Sequence, residues 1–203
     1  MNILDHASYS ASDVTIESRT FLYRGFIQVE KVSLKHRLFH RLEYSPVIQR
    51  ELIHRPEAAG VLLYNDAQQR FALIEQFRIG AINDTVSAWQ LEVIAGVLDG
   101  DESPERCIRR EALEESGCDI TTLKHLFSFY PSAGACSELF HLYVAEVELP
   151  KDGGVFGVAD EGENIQLHLF DYSQLNILLN NGRLRNAPVI MALQWLARHI
   201  QQR

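Results

Sequence analysis

The sequence has little of several features that mark other classes of protein. Its 203 residues include only three cysteines, Cys107, Cys118 and Cys136, and their spacing is not that of metal ligands. An odd, small number of cysteines favours reduced thiols over a disulfide framework. No run approaches the roughly 18 to 20 apolar residues of a membrane span, and the first residues lack a signal-peptide pattern. We therefore expect a soluble, cytoplasmic protein without a membrane partner.

Positive charge is also scarce in this chain. It has 19 Lys and Arg against 27 Asp and Glu, for a formal net charge of -8. Binding of a nucleic-acid polymer requires a basic surface, so we expect no such partner. The remaining composition, 46% hydrophobic and 23% charged, is that of an ordinary globular protein of one domain with or without a small appendage.

The first part of the chain alternates apolar and polar residues. Residues 14–35, with a bend at Arg24-Gly25, predict two antiparallel strands, and residues 47–53 predict a third. Three strands with one apolar face are hardly stable alone. We therefore predict an N-terminal antiparallel β subdomain at residues 1–55 that packs on a partner surface, and a main domain at residues 56–203.

The main domain mixes strand and helix patterns. Strands are predicted at residues 58–64, 71–78, 89–94, 125–130, 138–147 and 165–170. Two helices follow, at residues 172–180 and 187–201, and the second has Asn186 as its cap and Pro188 in its first turn. The expected fold class is α+β, with a mixed sheet between helices.

An acidic helix lies at the centre of the sequence. Ser103 as cap, Pro104 in the first turn and Gly117 as a left-handed stop predict its two ends.

Three glutamates, Glu111, Glu114 and Glu115, project from one side of this helix because they are three or four residues apart. Such a cluster can be a solvated surface. A divalent cation with a preference for hard oxygen ligands would stabilise it far better, and magnesium is the expected ion.

The spacing around this helix resembles the Nudix box. Every fixed position of that box is filled, by Gly96, Glu102, Arg110, Glu111, Glu114, Glu115 and Gly117, and its two apolar positions hold Ala112 and Cys118. The resemblance implies the Nudix fold and a hydrolase of nucleoside diphosphates linked to another group.

The resemblance also implies the metal ligands. These are the backbone carbonyl of Ala95 together with Glu111 and Glu115, while Glu114 shares a second ion; manganese is the alternative to magnesium. Arg110 supports the catalytic carboxylates, because it can pair with Glu114 or fold back to Glu102.

A wider resemblance extends to the bacterial ADP-ribose pyrophosphatases. The segments that carry it are residues 23–26, 50–51, 74–78, 89–96, 132–138, 159–163 and 192–196. It implies hydrolysis of ADP-ribose to AMP and ribose 5-phosphate, and a homodimer whose N-terminal strands are exchanged between two subunits.

The same resemblance implies further site residues. Glu161, in an acidic, glycine-containing loop, is the expected base for the attacking water, and Glu163 is the alternative. Substrate-binding roles fall to two arginines suited to phosphate, an aromatic residue suited to stacking on adenine, and two carboxylates: Arg50, Arg78, Phe26, Glu92 and Glu138. Glu92 can alternatively brace an arginine, and Trp89 is expected to be structural.

One departure bears on the substrate. ADP-ribose pyrophosphatases usually carry a proline at the position that Ala133 occupies here. The alternatives are therefore a pyrophosphatase for another nucleoside diphosphate sugar, such as GDP-mannose, and a module that senses ADP-ribose without turnover. The intact carboxylates argue against the sensing module.

Overall fold

A computed structural model of the chain describes residues 7–39, 43–158 and 162–203. The chain forms two compact units. Unit 1 comprises Met1–Pro56 and Ser132–Glu138, and unit 2 comprises Glu57–Pro131 and Leu139–Arg203. Across the described ranges, no helix is both long and apolar enough to cross a membrane.

Unit 1 is built on a three-stranded antiparallel sheet, as predicted. Its strands are β1 (Val14–Arg24), β2 (Gln28–His36) and β3 (Ile48–His54), with β2 in the middle. The segment Ser132–Glu138 joins this unit beside β3, where the amide of Ile53 donates to the carbonyl of Ala135 at 2.7 Å. Every residue of β1 is exposed. Within the described residues, the apolar side chains of this edge strand are therefore largely exposed.

Unit 2 contains a mixed sheet of eight strands. They are β4 (Ala58–Asn65), β5 (Arg70–Phe77), β6 (Trp89–Glu92), β7 (Ile94–Val97), β8 (Lys124–Phe129), β9 (Phe140–Glu146), β10 (Val155–Phe156) and β11 (Ile165–Asp171). The order is β10-β11-β5-β4-β9-β8, with β6 paired to β5 and β7 to β4. Only β4 and β9 are parallel among the described pairs. The predicted α+β class is confirmed.

Helices cover both faces of this sheet. They are α1 (Pro104–Ser116), α2 (Leu175–Asn180) and α3 (Ala187–Gln201). Alternate residues of β4 point to opposite sides. Leu62 joins a core cluster that includes Leu193 of α3, whereas Val61 joins a second cluster that includes Ile108 of α1. All eight residues of β4 are buried, as expected for a strand covered on both faces.

Two local features differ from the predictions. The strand expected at residues 89–94 is two strands, β6 and β7, because the chain changes partner at Val93 from β5 to β4. The helix expected from residue 172 begins with a 3-10 turn, Tyr172–Gln174, and becomes α-helical only at Leu175. The first difference matters for the site, since β7 carries Ala95 and Gly96 alongside α1.

Candidate active site

Local sequence fixes both ends of helix α1. The Ser103 side chain accepts a hydrogen bond from the amide of Arg106, and Pro104 is the first helical residue. At the other end Gly117 has a φ of 69°, in the left-handed region that favours glycine, and its amide donates to Leu113. The apolar side of the helix is buried on unit 2. The glutamates therefore have fixed positions on the helix.

Glu115 is the most deeply buried acid of this helix, with only 2% of its surface exposed. Its Oε2 accepts one hydrogen bond, from the amide of Ala95 in β7, at 3.2 Å. Burial raises the pKa of Glu115 to about 8, and the nearby charges of Glu111 and Glu163 add to that effect. The Ala95 amide and Arg78 oppose the rise but do not cancel it. The carboxylate form of Glu115 is thus poorly compensated by the protein.

Glu111 lies across the backbone of Gly96. A Cβ atom built at position 96 would lie 1.7 Å from Oε1 of Glu111. Burial raises the pKa of Glu111, while Arg110 opposes the rise. A side chain at position 96 would therefore displace the carboxylate of Glu111.

Arg110 holds three carboxylates at once. It donates to Glu102 at 3.1 Å, to Glu111 at 2.7 Å and to Glu114 at 3.2 Å. The hydrogen bond from Arg110 lowers the pKa of Glu102, and the same contact raises the pKa of Arg110. Glu114 keeps 37% of its side chain exposed. Arg110 thus holds Glu102, Glu111 and Glu114 in place, whereas Glu115 lies deeper in the protein.

Arg78 and Glu92 form a second charged pair of unit 2. Nε and Nη2 of Arg78 both donate to Oε2 of the buried Glu92, at 2.9 and 2.8 Å. Burial would lower the pKa of Arg78, but Glu92 outweighs it and Glu115 and Glu163 add to the rise. Glu92 therefore braces an arginine that lies within electrostatic range of the acidic helix.

The glutamates of α1 have the chemistry of a site for a hard divalent cation. Glu115 is buried, Glu111 is partly buried and the two repel each other, and their carboxylate oxygens are the ligands that magnesium prefers. In the described part of the chain, no three His, Cys, Asp or Glu side chains are grouped closely enough to hold an ion by themselves. The donor set therefore fits a metal that also takes backbone or substrate oxygens.

The predicted base, Glu161, lies outside the described residues. The alternative, Glu163, is half-buried, and its Oε2 accepts a hydrogen bond from the amide of Val158 at 3.2 Å. Its charge contributes to the raised pKa values of both Glu111 and Glu115. This side chain therefore lies near the acidic pair.

Three of the predicted substrate-binding residues belong to unit 1. Phe26 is fully exposed, so it does not belong to the core that the described residues form. Arg50 is exposed and donates to the carbonyl of Gln49, and Glu138 accepts a hydrogen bond from Arg55 at 3.2 Å. Their contact with a substrate remains a prediction.

Two details of unit 2 were not expected from the sequence. Asn186 was predicted only as a helix cap, yet its Nδ2 donates to Oε1 of Glu92 at 2.8 Å. A polar residue before a helix is ordinarily explained by capping, and no local pattern indicates a partner as distant as Glu92. Trp89, expected to be structural, is half exposed and contacts Phe77 edge to face.

Comparison with known proteins gives consistent matches. The NUDIX domain family model matches residues 54–193. The ADP-ribose pyrophosphatase of Escherichia coli K12 is 37% identical over 194 residues, which cover 96% of this chain and 92% of that protein. The GDP-mannose pyrophosphatase of Citrobacter koseri is 34% identical over 149 residues, 73% of this chain and 77% of that protein.

A solved structure, described as an ADP compounds hydrolase, superposes with a TM-score of 0.70 at 22% identity. The match covers 96% of this chain and 98% of that one. At this identity the likeness concerns the fold.

Proposed function

The chain belongs to the Nudix hydrolase family, and from that premise we propose that it hydrolyses the pyrophosphate of ADP-ribose to AMP and ribose 5-phosphate. The pair formed by the buried Glu115 and the partly buried Glu111 is the observation that carries the proposal. A pyrophosphate diester bears two negative charges, so it can bind beside these acids only with cations between them. The near-full-length relative supports ADP-ribose as the substrate.

Magnesium is the proposed ion, with manganese as the alternative. Glu111, Glu115 and the carbonyl of Ala95 would hold it, and Glu114 would share a second ion. Such an ion, when bound, neutralises phosphate oxygens and lowers the pKa of a water.

The remaining roles belong to side chains of the protein. Arg78, braced by Glu92, offers its guanidinium to a phosphate. Arg110 keeps the carboxylates of Glu102 and Glu111 in place. Glu161 takes the proton of the attacking water, with Glu163 as the alternative base.

The other proposed contacts come from Phe26, Arg50 and Glu138. Phe26 stacks on the adenine ring, Arg50 binds a phosphate or the terminal ribose, and Glu138 contacts the substrate. The full exposure of the Phe26 ring supports a role in binding a planar ligand.

The test is an assay of AMP release in magnesium for the parent and for Glu115→Gln. Removing the charge of one metal ligand should lower kcat about 100-fold or more. Glu105→Gln is the matched control, because Glu105 is an exposed acid in the first turn of the same helix. The control should retain nearly full turnover.

Near-normal turnover of Glu115→Gln would rule the mechanism out. Stoichiometric binding of ADP-ribose without any release of AMP by the parent would instead support the sensing module.

A second substrate class has a specific observation in its favour. The relative from C. koseri is named for GDP-mannose, and Ala133 stands where ADP-ribose pyrophosphatases usually have proline. A panel of kcat/KM values for ADP-ribose, GDP-mannose, NADH and dinucleoside polyphosphates separates the two. A higher kcat/KM for GDP-mannose would replace ADP-ribose as the proposed substrate.

We further propose that the chain is a cytoplasmic homodimer with exchanged N-terminal strands. Support comes from β1, whose apolar side chains Ile16, Phe21 and Leu22 are exposed. All three cysteines are free thiols, which suits a reducing compartment. Sedimentation analysis should give twice the chain mass, and Phe21→Glu should shift it toward the monomer.

A further inference from the structure

Asn186 occupies the cap position of α3 without capping the helix. An asparagine there usually accepts a hydrogen bond from an amide of the first turn, and its backbone has the extended conformation of a cap. The side chain makes no such bond. Its Oδ1 is buried and has no hydrogen-bond partner within the part of the chain that the structure describes. Helix capping therefore does not explain the orientation of this amide.

The hydrogen bond made by the Nδ2 group of Asn186 explains the orientation of its amide. Nδ2 of Asn186 donates to Oε1 of Glu92 at 2.8 Å, whereas the shortest bonds to Oε2 come from Arg78. Each oxygen of this buried carboxylate is thus held from a different element. Asn186 fixes the rotation of the carboxylate plane, and that plane fixes the direction of the Arg78 guanidinium.

We propose that Asn186 is a positioning residue, which holds Arg78 in the orientation that binds a substrate phosphate by acting through Glu92. The inference rests on the proposed function, in which Arg78 contacts the substrate. Without the Asn186 amide, Glu92 can rotate about its last torsion, and Arg78 loses its preset direction. Substrate binding then weakens while the acidic helix is untouched.

Asn186→Ser separates this role from a structural one. Serine is an equally good cap, but it is too short to reach Glu92. We expect a melting temperature equal to or above that of the parent, a KM for ADP-ribose raised about 10-fold, and kcat within about twofold. Asn176→Ser, the same change at an exposed position of α2, is the matched control and should leave the melting temperature, KM and kcat unchanged. An unchanged KM in Asn186→Ser would overturn the proposal.

A double-mutant cycle tests the route through Arg78. In the Arg78→Ala background, Asn186→Ser should cause no further rise in KM, because the guanidinium that Asn186 positions is already missing. Two effects that multiply would show that Asn186 acts independently of Arg78 and would overturn the proposal.

A measurement that needs no catalysis distinguishes this proposal from the proposed function. The Arg78 side-chain Nε–H should give a slowly exchanging NMR signal in the parent, and that signal should exchange at least about 10-fold faster in Asn186→Ser. An inactive parent with this difference would overturn the hydrolase function and leave the positioning intact. An unchanged exchange rate would overturn the positioning.

Discussion

Two buried carboxylates of unit 2, Asp66 and Glu115, have opposite surroundings. Asp66, 7% exposed, accepts hydrogen bonds from Tyr172 at 2.8 Å and His199 at 2.9 Å, and Arg203 lies 2.9 Å away. Burial alone would raise the pKa of Asp66, but these partners outweigh it and the pKa is lowered. Glu115 has one amide partner and a pKa raised to about 8.

The difference separates structural from functional acids. The protein supplies its own donors where a carboxylate joins the C-terminal helix to the β4–β5 turn, as Asp66 does. It leaves a carboxylate uncompensated where the proposed cation binds. A buried acid whose charge is poorly compensated is thus a stronger indication of a site than its burial alone.

The largest expected effects are opposite changes in stability. Asp66→Asn removes the charge that three partners share and should lower the free energy of unfolding by about 3 kcal/mol. Glu115→Gln removes an uncompensated charge and should raise it by about 2 kcal/mol at pH 8 without metal. Chemical denaturation of both variants, each beside the parent, measures the two changes. Changes of the same sign in the free energy of unfolding of the two variants would contradict the comparison.

The pH dependence of stability sharpens the comparison between Glu115 and Asp66. Glu115 titrates above its ordinary pKa of 4.5, so its contribution to stability is present below pH 4.5 and is lost as pH rises toward 8. Metal-free protein should lose on the order of 3 kcal/mol between pH 5 and pH 8. Asp66 acts in the opposite direction, since its contribution is lost only as pH falls through its lowered pKa.

Melting curves at several pH values, with and without magnesium, provide the measurement. Magnesium should restore more stability at pH 8 than at pH 5, and Glu115→Gln should flatten the metal-free profile. A parent profile that is already flat over this range would contradict the assignment.

Gly96→Ala tests the acidic site without replacing any of its acidic residues. The new Cβ would displace the end of the Glu111 side chain, which can move, so the fold should survive. Activity should fall about 10- to 100-fold, as is usual when a metal ligand is misdirected. Gly134→Ala, where an added Cβ meets nothing within 4 Å, is the control. Equal activities for the two variants would contradict the role of Gly96.

The smallest expected effect concerns the outermost partner of Asp66. Arg203 keeps 49% of its side chain exposed, and exposed ion pairs contribute little. Arg203→Gln should lower the free energy of unfolding by about 0.5 kcal/mol, and high salt should remove the difference. A loss as large as that of Asp66→Asn would mean that the arginine alone neutralises the acid.

Features set by neighbouring residues were predictable from the sequence. The ends of α1 at Ser103 and Gly117 are fixed by capping within a few residues, and the predicted helix is confirmed. Strands with alternating or fully apolar patterns, such as β2 and β4, were found at the expected places. These signals are local, so no knowledge of the tertiary fold was needed.

Features set by distant residues were not predictable. Asp66 meets Tyr172 and His199 only because the sheet and α3 bring them together across more than a hundred residues. The contact of Asn186 with Glu92, and the passage of Glu111 over Gly96, also depend on how elements pack. The box pattern predicts which acids form the site, but it could not indicate that Glu115 accepts its hydrogen bond from a single backbone amide.

The parallel pairing of β4 with β9 also constrains synthesis. Ala58 pairs with Phe140, so the ribosome must make all of α1 before the central strand gains this neighbour. Until then a newly made chain carries a strand of mainly apolar side chains with one edge of unpaired backbone groups, which is the kind of surface that aggregates. Fragments that end before β9 should therefore be retained by chaperones, and the acidic site can mature only late in translation.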